Sequence, residues 1–247
     1  MPDTRSNRGP HPKDERCFAD DEVPKLRRAV DELSWLLTRG YPPKAALTLV
    51  GNRHALVDRQ RKAVQRCAAS DQAVIDRVSR RREPAQLSGR ELRIDGYNVL
   101  LTIEAAISGG VVLEARDGTF RDVAAMSRHY KRVASTAPAL HRVGELLEGA
   151  GACSVLWLFD RPISNSGRLA RLIHLTAADQ GWPWRVELVA NPDPLLRASE
   201  ELIATADSGI LDRCAQWVNL ARWVVETAVP DAWVLRLANG SEVASGC

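Results

Sequence analysis

One stretch decides the fold of this chain: Leu92–Leu100, which reads Leu-Arg-Ile-Asp-Gly-Tyr-Asn-Val-Leu. Its first three residues predict a short buried strand that ends on Asp95. A glycine turn follows, and apolar residues spaced three to four apart predict a helix to about Ser108, where Gly109-Gly110 ends it. A carboxylate at the C-terminal end of a strand lies where open α/β sheets bind their ligands.

The same arrangement of an apolar strand and a following acid recurs three more times. The predicted strands cover residues 154–159, 186–190 and 202–206, and the acids that follow them are Asp160, Asp193 and Asp207. Strands alternating with helices predict a mostly parallel sheet with these acids at one edge. Clustered carboxylates repel one another and suit hard cations, so Mg²⁺ or Mn²⁺ is the expected cofactor. Helix capping is the simpler role for any single Asp, but four in series favour a metal site.

Composition predicts a globular protein of one large domain or two small ones. The 247 residues are 45% hydrophobic, which is enough for a core. No apolar run is long enough to span a membrane, and residues 1–16 lack the apolar segment of a signal peptide, so we expect no membrane contact and a cytoplasmic location. The five cysteines form no Cys-x-x-Cys pair, which indicates reduced thiols rather than a zinc or redox site.

Charge is distributed unevenly along the chain. Residues 1–90 carry 19 Lys and Arg against 12 Asp and Glu, whereas residues 91–247 carry 15 against 19. The basic excess is concentrated in residues 39–82, which hold 11 basic and 3 acidic side chains. A basic segment beside an acidic one is compatible with a nucleic-acid-binding module next to a metal site. An ordinary solvated helix face explains the same charge equally well.

Breaks in periodicity divide the chain into three parts. Residues 1–20 are polar and aperiodic, which predicts a disordered tail. Residues 21–85 predict a small all-α domain, and residues 86–247 an α/β domain. Between them, residues 80–89 combine charges with Pro, Ser and Gly, as a linker does.

The all-α domain contains a helical pair that resembles a helix-turn-helix. Its predicted features are helices over 22–38, 44–50 and 53–67, a turn at Gly51-Asn52, and a fourth helix to Val78 capped by Ser70. The candidate nucleic-acid ligands on or beside the second helix of the pair are Arg53, Arg59, Arg61, Lys62 and Arg66. An ordinary helical bundle is the simpler interpretation, because short helical pairs are common.

The α/β domain has further predicted elements around its acid-tipped strands. They are a strand over 111–115 with a turn at Asp117-Gly118, helices over 122–133, 137–148 and 208–227, and a last strand over 232–238. The loop after Asp160 carries Arg161, Ser164 and Ser166 ahead of a helix over 168–180, and the charge of Arg161 suits either competition with a cation there or binding of a phosphate. The two serines suit either helix capping or a phosphate at the helix N-terminus, and capping is the simpler role.

Three motifs resemble those of PIN-like nucleases of the NYN type. Ile94–Leu100 is similar to the first motif of that group, Leu158–Asp160 to its second acidic strand end, and Ala204–Ser208 to its late Thr-x-Asp motif. The whole chain also resembles a prokaryotic two-domain family of unknown function, in which a helical module precedes a PIN-like domain.

The resemblance implies a Rossmann-like α/β/α fold and metal-dependent cleavage of RNA. It implies that Asp95, Asp160 and Asp207 are metal ligands, with Asp193 as a fourth, and that Asn98 orients Asp95 or contacts the scissile phosphate. The implied partner is single-stranded or structured RNA, and an oligomer is compatible with the sequence. Residues 109–132 have no counterpart, so an acid of that segment is an alternative ligand: Glu114, Asp117 or Asp122.

Two alternative functions remain at this stage. One is a catalytically silent regulator that binds nucleic acid. The other is a phosphotransfer or phosphohydrolase domain, because receiver-like folds also gather acids at strand ends. A receiver requires paired acids after its first strand and a lysine at its last, whereas this chain has Arg93 and Arg236 in those regions.

Overall fold

The structure is a computed structural model that describes residues 9–123, 130 and 133–238. Its helices are α1 (Asp14–Cys17), α2 (Val23–Thr38), α3 (Pro43–Arg53), α4 (Asp58–Cys67), α5 (Asp71–Arg80), α6 (Gly96–Ile107), α7 (Thr136–Gly149), α8 (Ser166–Gln180), α9 (Asp193–Arg197), α10 (Ser208–Leu211) and α11 (Leu220–Ala228). Its strands are β1 (Arg81–Arg82), β2 (Glu91–Asp95), β3 (Val112–Glu114), β4 (Phe120–Asp122), β5 (Ser154–Asp160), β6 (Trp184–Val189), β7 (Leu202–Ala204), β8 (Trp217–Val218) and β9 (Val234–Arg236).

Six strands form a parallel sheet in the order β1-β8-β7-β2-β5-β6. Both faces of this sheet are covered, as parallel sheets require. Strand β5 shows the alternation: Trp157 and Phe159 pack in a core with α6, α7, α8 and α11, whereas Leu156 and Leu158 pack in a core with α9 and α10. The predicted α/β/α architecture with a parallel sheet is therefore confirmed.

A second sheet joins the α/β part to the helical part. Strands β4, β3 and β9 form it, with β3 antiparallel to β4 and parallel to β9. Leu113 and Leu235 of this sheet share one buried core with Leu26, Val50 and Val64 of α2, α3 and α4. The predicted last strand thus belongs to the small sheet. Strands β3 and β4, which lie in the 109–132 segment, form the rest of this sheet, and helices α2, α3 and α4 pack against it.

Several predicted elements are confirmed within one or two residues. The four acid-tipped strands, the helix after Asp95, the long second helix and the helix near 137–148 all occur. Ser70 caps α5 as predicted, because its side chain accepts a hydrogen bond from the backbone N–H of Ala73. Among the described residues, no helix is long and apolar enough to cross a membrane.

The turn between the third and fourth helices lies later than the predicted Gly51-Asn52. Helix α3 continues to Arg53, and the break falls between His54 and Val57. Gly51 lies inside the helix, and a Cβ there would stand 2.0 Å from a guanidinium nitrogen of Arg61 in its present position. The glycine therefore lies beside the Arg61 side chain and does not form the turn.

The predicted single helix over 208–227 is wrong. Helix α10 ends at Leu211, and Trp217–Val218 forms strand β8 between β7 and β1. The buried indole N–H of Trp217 donates to the carbonyl of Arg77 at 2.8 Å. This long-range contact overrides the helical spacing of apolar residues.

The tail and linker also differ from their predictions. In the predicted tail, Asp14–Cys17 is a helical turn in which buried Asp14 pairs with Arg59; residues 1–8 lie outside the described residues. In the predicted linker, Arg81 and Arg82 form the edge strand β1. The predicted helix over 122–133 starts in strand β4, and most of its span lies outside the described residues.

Candidate active site

The order of the strands reverses between β2 and β7. From β2 the chain adds β5 and β6 on one side, and from β7 it adds β8 on the other. Crevices at such a reversal bind ligands in open α/β sheets, at the carboxyl ends of the strands. Asp95 ends β2, Asp160 ends β5, and Asp193 and Asp207 stand at the starts of α9 and α10, just beyond β6 and β7.

All four aspartates line one cleft of about 860 Å³, which we call the acid cleft. Other polar or charged residues that line it are Lys62, Gln65, Arg66, Tyr97, Asn98, Arg121, Asp122, Asn191 and Ser208. Three of these, Lys62, Gln65 and Arg66, belong to helix α4 of the helical part. The cleft is therefore built by both parts of the chain, with acids at the sheet edge and cations among its walls.

A hydrogen-bonded chain connects the two acids at the strand reversal. The hydroxyl of Thr205 donates to Asp95 Oδ2 at 2.7 Å, and the backbone N–H of Asp207 donates to that hydroxyl at 3.0 Å. Asn98 Oδ1 accepts from the backbone N–H of Ala206 at 2.6 Å. Asn98 thus fixes the segment between the two acids, rather than contacting Asp95 through its amide oxygen.

Burial and mutual repulsion shift the acidity of the cleft. Burial, followed by the charges of Asp207, Asp193 and Asp160, raises the pKa of Asp95 from 3.8 to about 7, against the opposing hydrogen bond from Thr205. Burial and the charge of Asp193 also raise the pKa of Asp160. Placing these carboxylates together costs free energy, which a bound cation would offset.

Two of the acids also have local structural partners. Asp193 pairs with Arg197 at 2.9 Å, and Asp207 Oδ1 accepts from the backbone N–H of Ile210 at 3.1 Å as the cap of α10. Within the part of the chain that the structure describes, no three Asp, Glu, His or Cys side chains converge as a ready-formed metal site. Binding a cation in the acid cleft therefore requires its carboxylates to rotate towards one another.

The donor set of the cleft suits hard cations. Asp95, Asp160, Asp193 and Asp207 offer carboxylate oxygens, and Asn191 and Asn98 add amide groups to the lining. Oxygen ligands with room for substrate phosphates match the coordination preferences of Mg²⁺ and Mn²⁺.

The five predicted nucleic-acid ligands of the helical part separate into two groups. Lys62 and Arg66 line the acid cleft, where Arg66 also pairs with Asp122 at 3.2 Å. Arg59 is bound to the buried carboxylate of Asp14, and Arg61 donates to Leu56 O and Asn52 Oδ1. Arg53 lies at the end of α3, 3.6 Å from Glu32. The structure thus brings two of the five to the acids.

The loop after Asp160 does not bring its candidate phosphate ligands into the acid cleft. Arg161 donates twice to the carbonyl of Leu188, at 3.2 and 2.7 Å. Ser166 is buried and its hydroxyl is directed to the carbonyl of Arg161, while Ser164 is exposed. Arg161, Ser164 and Ser166 are absent from the described lining of the acid cleft.

The three alternative acids of the 109–132 segment have separate surroundings. Asp122 lines the cleft, whereas Asp117 is buried between Arg77 and Arg121. Burial raises the pKa of Asp117, but the positive charges of Arg121 and Arg77 and the hydrogen bond from Thr119 outweigh it and lower this pKa to about 2. Glu114 pairs with Arg222 and Arg236, so Arg236 lies on the small sheet and away from the acids. Arg236 therefore does not occupy the position of a receiver's lysine, although Lys62 and Arg66 of the helical part do line the cleft.

Sequence reasoning did not offer several polar residues of the cleft as candidates, among them Gln65, Tyr97, Arg121, Asn191 and Ser208. Buried Arg121 donates to Asp117 and to the carbonyl of Arg66, and it also lines the cleft. Tyr97 contributes from within the first motif, and burial raises the pKa of its hydroxyl well above its usual range. The motif spacing signalled Tyr97, but no local signal identifies Arg121, because it reaches the cleft only through the hairpin of β3 and β4.

Comparison with known proteins finds two families and one relative whose descriptions assign no function. A family described as "Domain of unknown function (DUF5616)" matches residues 84–223, and one described as "Protein of unknown function (DUF434)" matches residues 25–80. The "Uncharacterized protein MJ0935" of Methanocaldococcus jannaschii is 28% identical over 186 residues, covering 75% of this chain and 88% of that protein. No solved structure matches this chain.

Proposed function

We infer the function of this chain, which belongs to the family described as "Domain of unknown function (DUF5616)", from its acid cleft. We propose that it is a metal-dependent endoribonuclease whose α/β part is a PIN-like domain of the NYN type. One observation carries this proposal: acids from four different strand ends line a single cleft that also contains Lys62 and Arg66 of the helical part.

The charge pattern supports a phosphodiester as substrate. A cleft lined by carboxylates alone would repel a phosphate, and a cleft lined by arginine and lysine alone would repel a divalent cation. A cleft with both charges suits a phosphodiester bound through a divalent cation on one side and through basic side chains on the other. Such a cation stabilises charge on the entering and leaving oxygens of phosphodiester cleavage.

In this proposal the four aspartates, their hydrogen-bond partners and two basic side chains have separate roles. Asp95, Asp160 and Asp207 would hold the cation, with Asp193 available once it leaves Arg197. Thr205 keeps Asp95 oriented through its hydroxyl, and Asn98 keeps the neighbouring backbone in place, at 2.7 and 2.6 Å respectively. Lys62 and Arg66 would bind phosphates of the RNA beside the one that is cut.

Substitution of Asp207 tests the proposal, because Asn retains a helix cap and removes a charge. Asn and Asp cap helices about equally well, so Asp207→Asn should fold normally. Cleavage of single-stranded RNA should depend on Mn²⁺ or Mg²⁺ in the wild type and fall by roughly a hundredfold or more in the variant. The exposed Asp231→Asn is the matched control and should cut at the wild-type rate. Full activity of Asp207→Asn would exclude this residue as a ligand.

We propose a silent RNA-binding regulator as the second candidate function. The supporting observations are the Asp193–Arg197 pair and the lack, among the described residues, of three converging acids. This function predicts RNA binding through Lys62 and Arg66 without cleavage under any divalent cation. Purified wild-type protein that binds RNA but never cuts it would establish this second function.

A further inference from the structure

A second polar cavity lies further along the same edge of the main sheet. It has a volume of about 310 Å³, and we call it the edge pocket. The lining residues that matter here are Arg81, Arg82, Glu83, Arg222, Trp223 and Glu226. Strands β1 and β8 end at Arg82 and Val218, so this pocket, like the acid cleft, lies at the carboxyl ends of parallel strands.

We propose that the edge pocket binds one nucleotide unit of the single-stranded RNA whose neighbouring phosphate lies in the acid cleft, with the phosphate on Arg82 and the base against Trp223. The proposal rests on the nuclease or RNA-binding function argued above, and it extends the substrate contact to a site that none of the three predicted motifs includes.

The chemistry of the lining supports a nucleotide. Arg82 Nη1 donates only to the backbone carbonyls of Ser79 and Arg81 among the described residues, so no described carboxylate neutralises its charge. Arg81 lies 3.6 Å from exposed Glu83, and Arg222 pairs with Glu226 at 2.9 Å. Arginine binds phosphate through its planar fork, and tryptophan supplies a stacking surface for any base.

The two cavities are separated by a distance that one strand of RNA can span. From β2 to β1 the sheet order has three steps, which at about 4.8 Å each gives roughly 14 Å. The hairpin provides a second measure: Gly118 O accepts from Arg222 Nη1 at 3.1 Å beside the edge pocket, while Asp122 lines the acid cleft. The four residues from one to the other cover roughly 14 Å at about 3.4 Å per residue.

Binding of single-stranded RNA in Ca²⁺, which supplies charge without requiring cleavage, tests the edge pocket. Arg82→Gln should weaken binding about tenfold and reduce the slope of affinity against salt by roughly 0.7, the share of one phosphate contact. Arg171→Gln, on the exposed face of α8 and outside both cavities, should stay within about twofold of the wild type. Urea unfolding of each variant checks that the fold is retained.

A gain of affinity provides a second test that does not depend on the stability of Arg82→Gln. The Glu83 side chain is 71% exposed and lies near Arg81, so Glu83→Gln should fold normally and strengthen RNA binding severalfold by removing a repelling charge. Unchanged affinity in both variants, or no RNA binding by the wild type, would overturn the proposal.

The outcomes also separate this proposal from the nuclease function. RNA that binds with dependence on Arg82 but is never cut supports the edge pocket and rejects the nuclease. RNA that is cut in Mn²⁺ with no effect of Arg82→Gln or Glu83→Gln supports the nuclease and rejects the edge pocket.

Discussion

Replacing Asp95 with Asn should stabilise the metal-free protein at neutral and basic pH. Burial and three neighbouring acids raise the pKa of Asp95 from 3.8 to about 7, so the folded state binds its proton more tightly than the unfolded state. At 1.36 kcal/mol per pKa unit, the raised pKa of Asp95 costs the folded protein about 4 kcal/mol of stability at pH 8, where the side chain is ionised, and roughly 1.5 kcal/mol at pH 5, where the folded protein keeps it protonated. These values are upper limits, because relaxation and water entry reduce the cost of a buried charge.

The sign of the pH dependence follows from the raised pKa. Wild-type stability should fall as the pH rises from about 4 through about 7 and then level off, whereas Asp95→Asn lacks this loss. Urea unfolding in EDTA at pH 5 and pH 8 measures both effects, and exposed Asp231→Asn should change stability by less than about 0.5 kcal/mol at either pH. Adding millimolar Mn²⁺ should raise the melting temperature of the wild type more than that of Asp95→Asn.

The reasoning on Asp95 would be refuted by either of two results. In the first, Asp95→Asn is no more stable than the wild type at pH 8. In the second, the variant is more stable by the same amount at pH 5 and pH 8, so that the gain has no connection with ionisation. An unchanged melting temperature of the wild type in Mn²⁺ would count against a cation at this site.

Four further substitutions test separate contacts. Lys62→Ala should weaken RNA binding and reduce its salt slope by roughly 0.7 without a change in stability, whereas Arg59→Ala should cost about 3 kcal/mol in urea unfolding by leaving a buried carboxylate unpaired. Thr205→Val removes the hydrogen bond that lowers the pKa of Asp95, so it should lower metal-free stability more at pH 8 than at pH 5, and a pH-independent loss would contradict this reason. Gly96→Ala places a Cβ 2.3 Å from an aromatic ring and should cost roughly 1–3 kcal/mol by thermal unfolding, with a neutral effect arguing against the close approach.

The parts of the fold that could be predicted are those encoded locally. Asp95 and Asp160 end their strands, and Asp207 and Asp193 follow theirs by three and four residues, so both the strands and the positions of the acids are visible in the sequence. Parallel pairing then gathers the acids at one edge, because the carboxyl ends of parallel strands lie together. The acid cleft was therefore predictable in outline from the positions of Asp95, Asp160, Asp193 and Asp207.

The remainder depends on contacts between distant residues. Lys62 and Arg59 are three residues apart on α4, yet one lines the acid cleft and the other is bound to Asp14, 45 positions earlier. Strand β8 has the apolar spacing of a helix and becomes a strand through its partners β7 and β1. Charge and periodicity do not identify such distant partners, so the sequence alone could not predict the different positions of Lys62 and Arg59 or the strand conformation of β8.

The small sheet also has a consequence for the order of events during synthesis. Helices α2, α3 and α4 leave the ribosome early, but their core includes Leu235 and Leu237, and Arg27 donates to the carbonyl of Arg236 at 3.0 Å. Domains generally fold as units once their residues have emerged, so this core closes only after more than two hundred residues have been made. Helices α2, α3 and α4 therefore cannot complete their packing until β9 has been synthesised, and a nascent chain halted before β9 exposes their apolar faces.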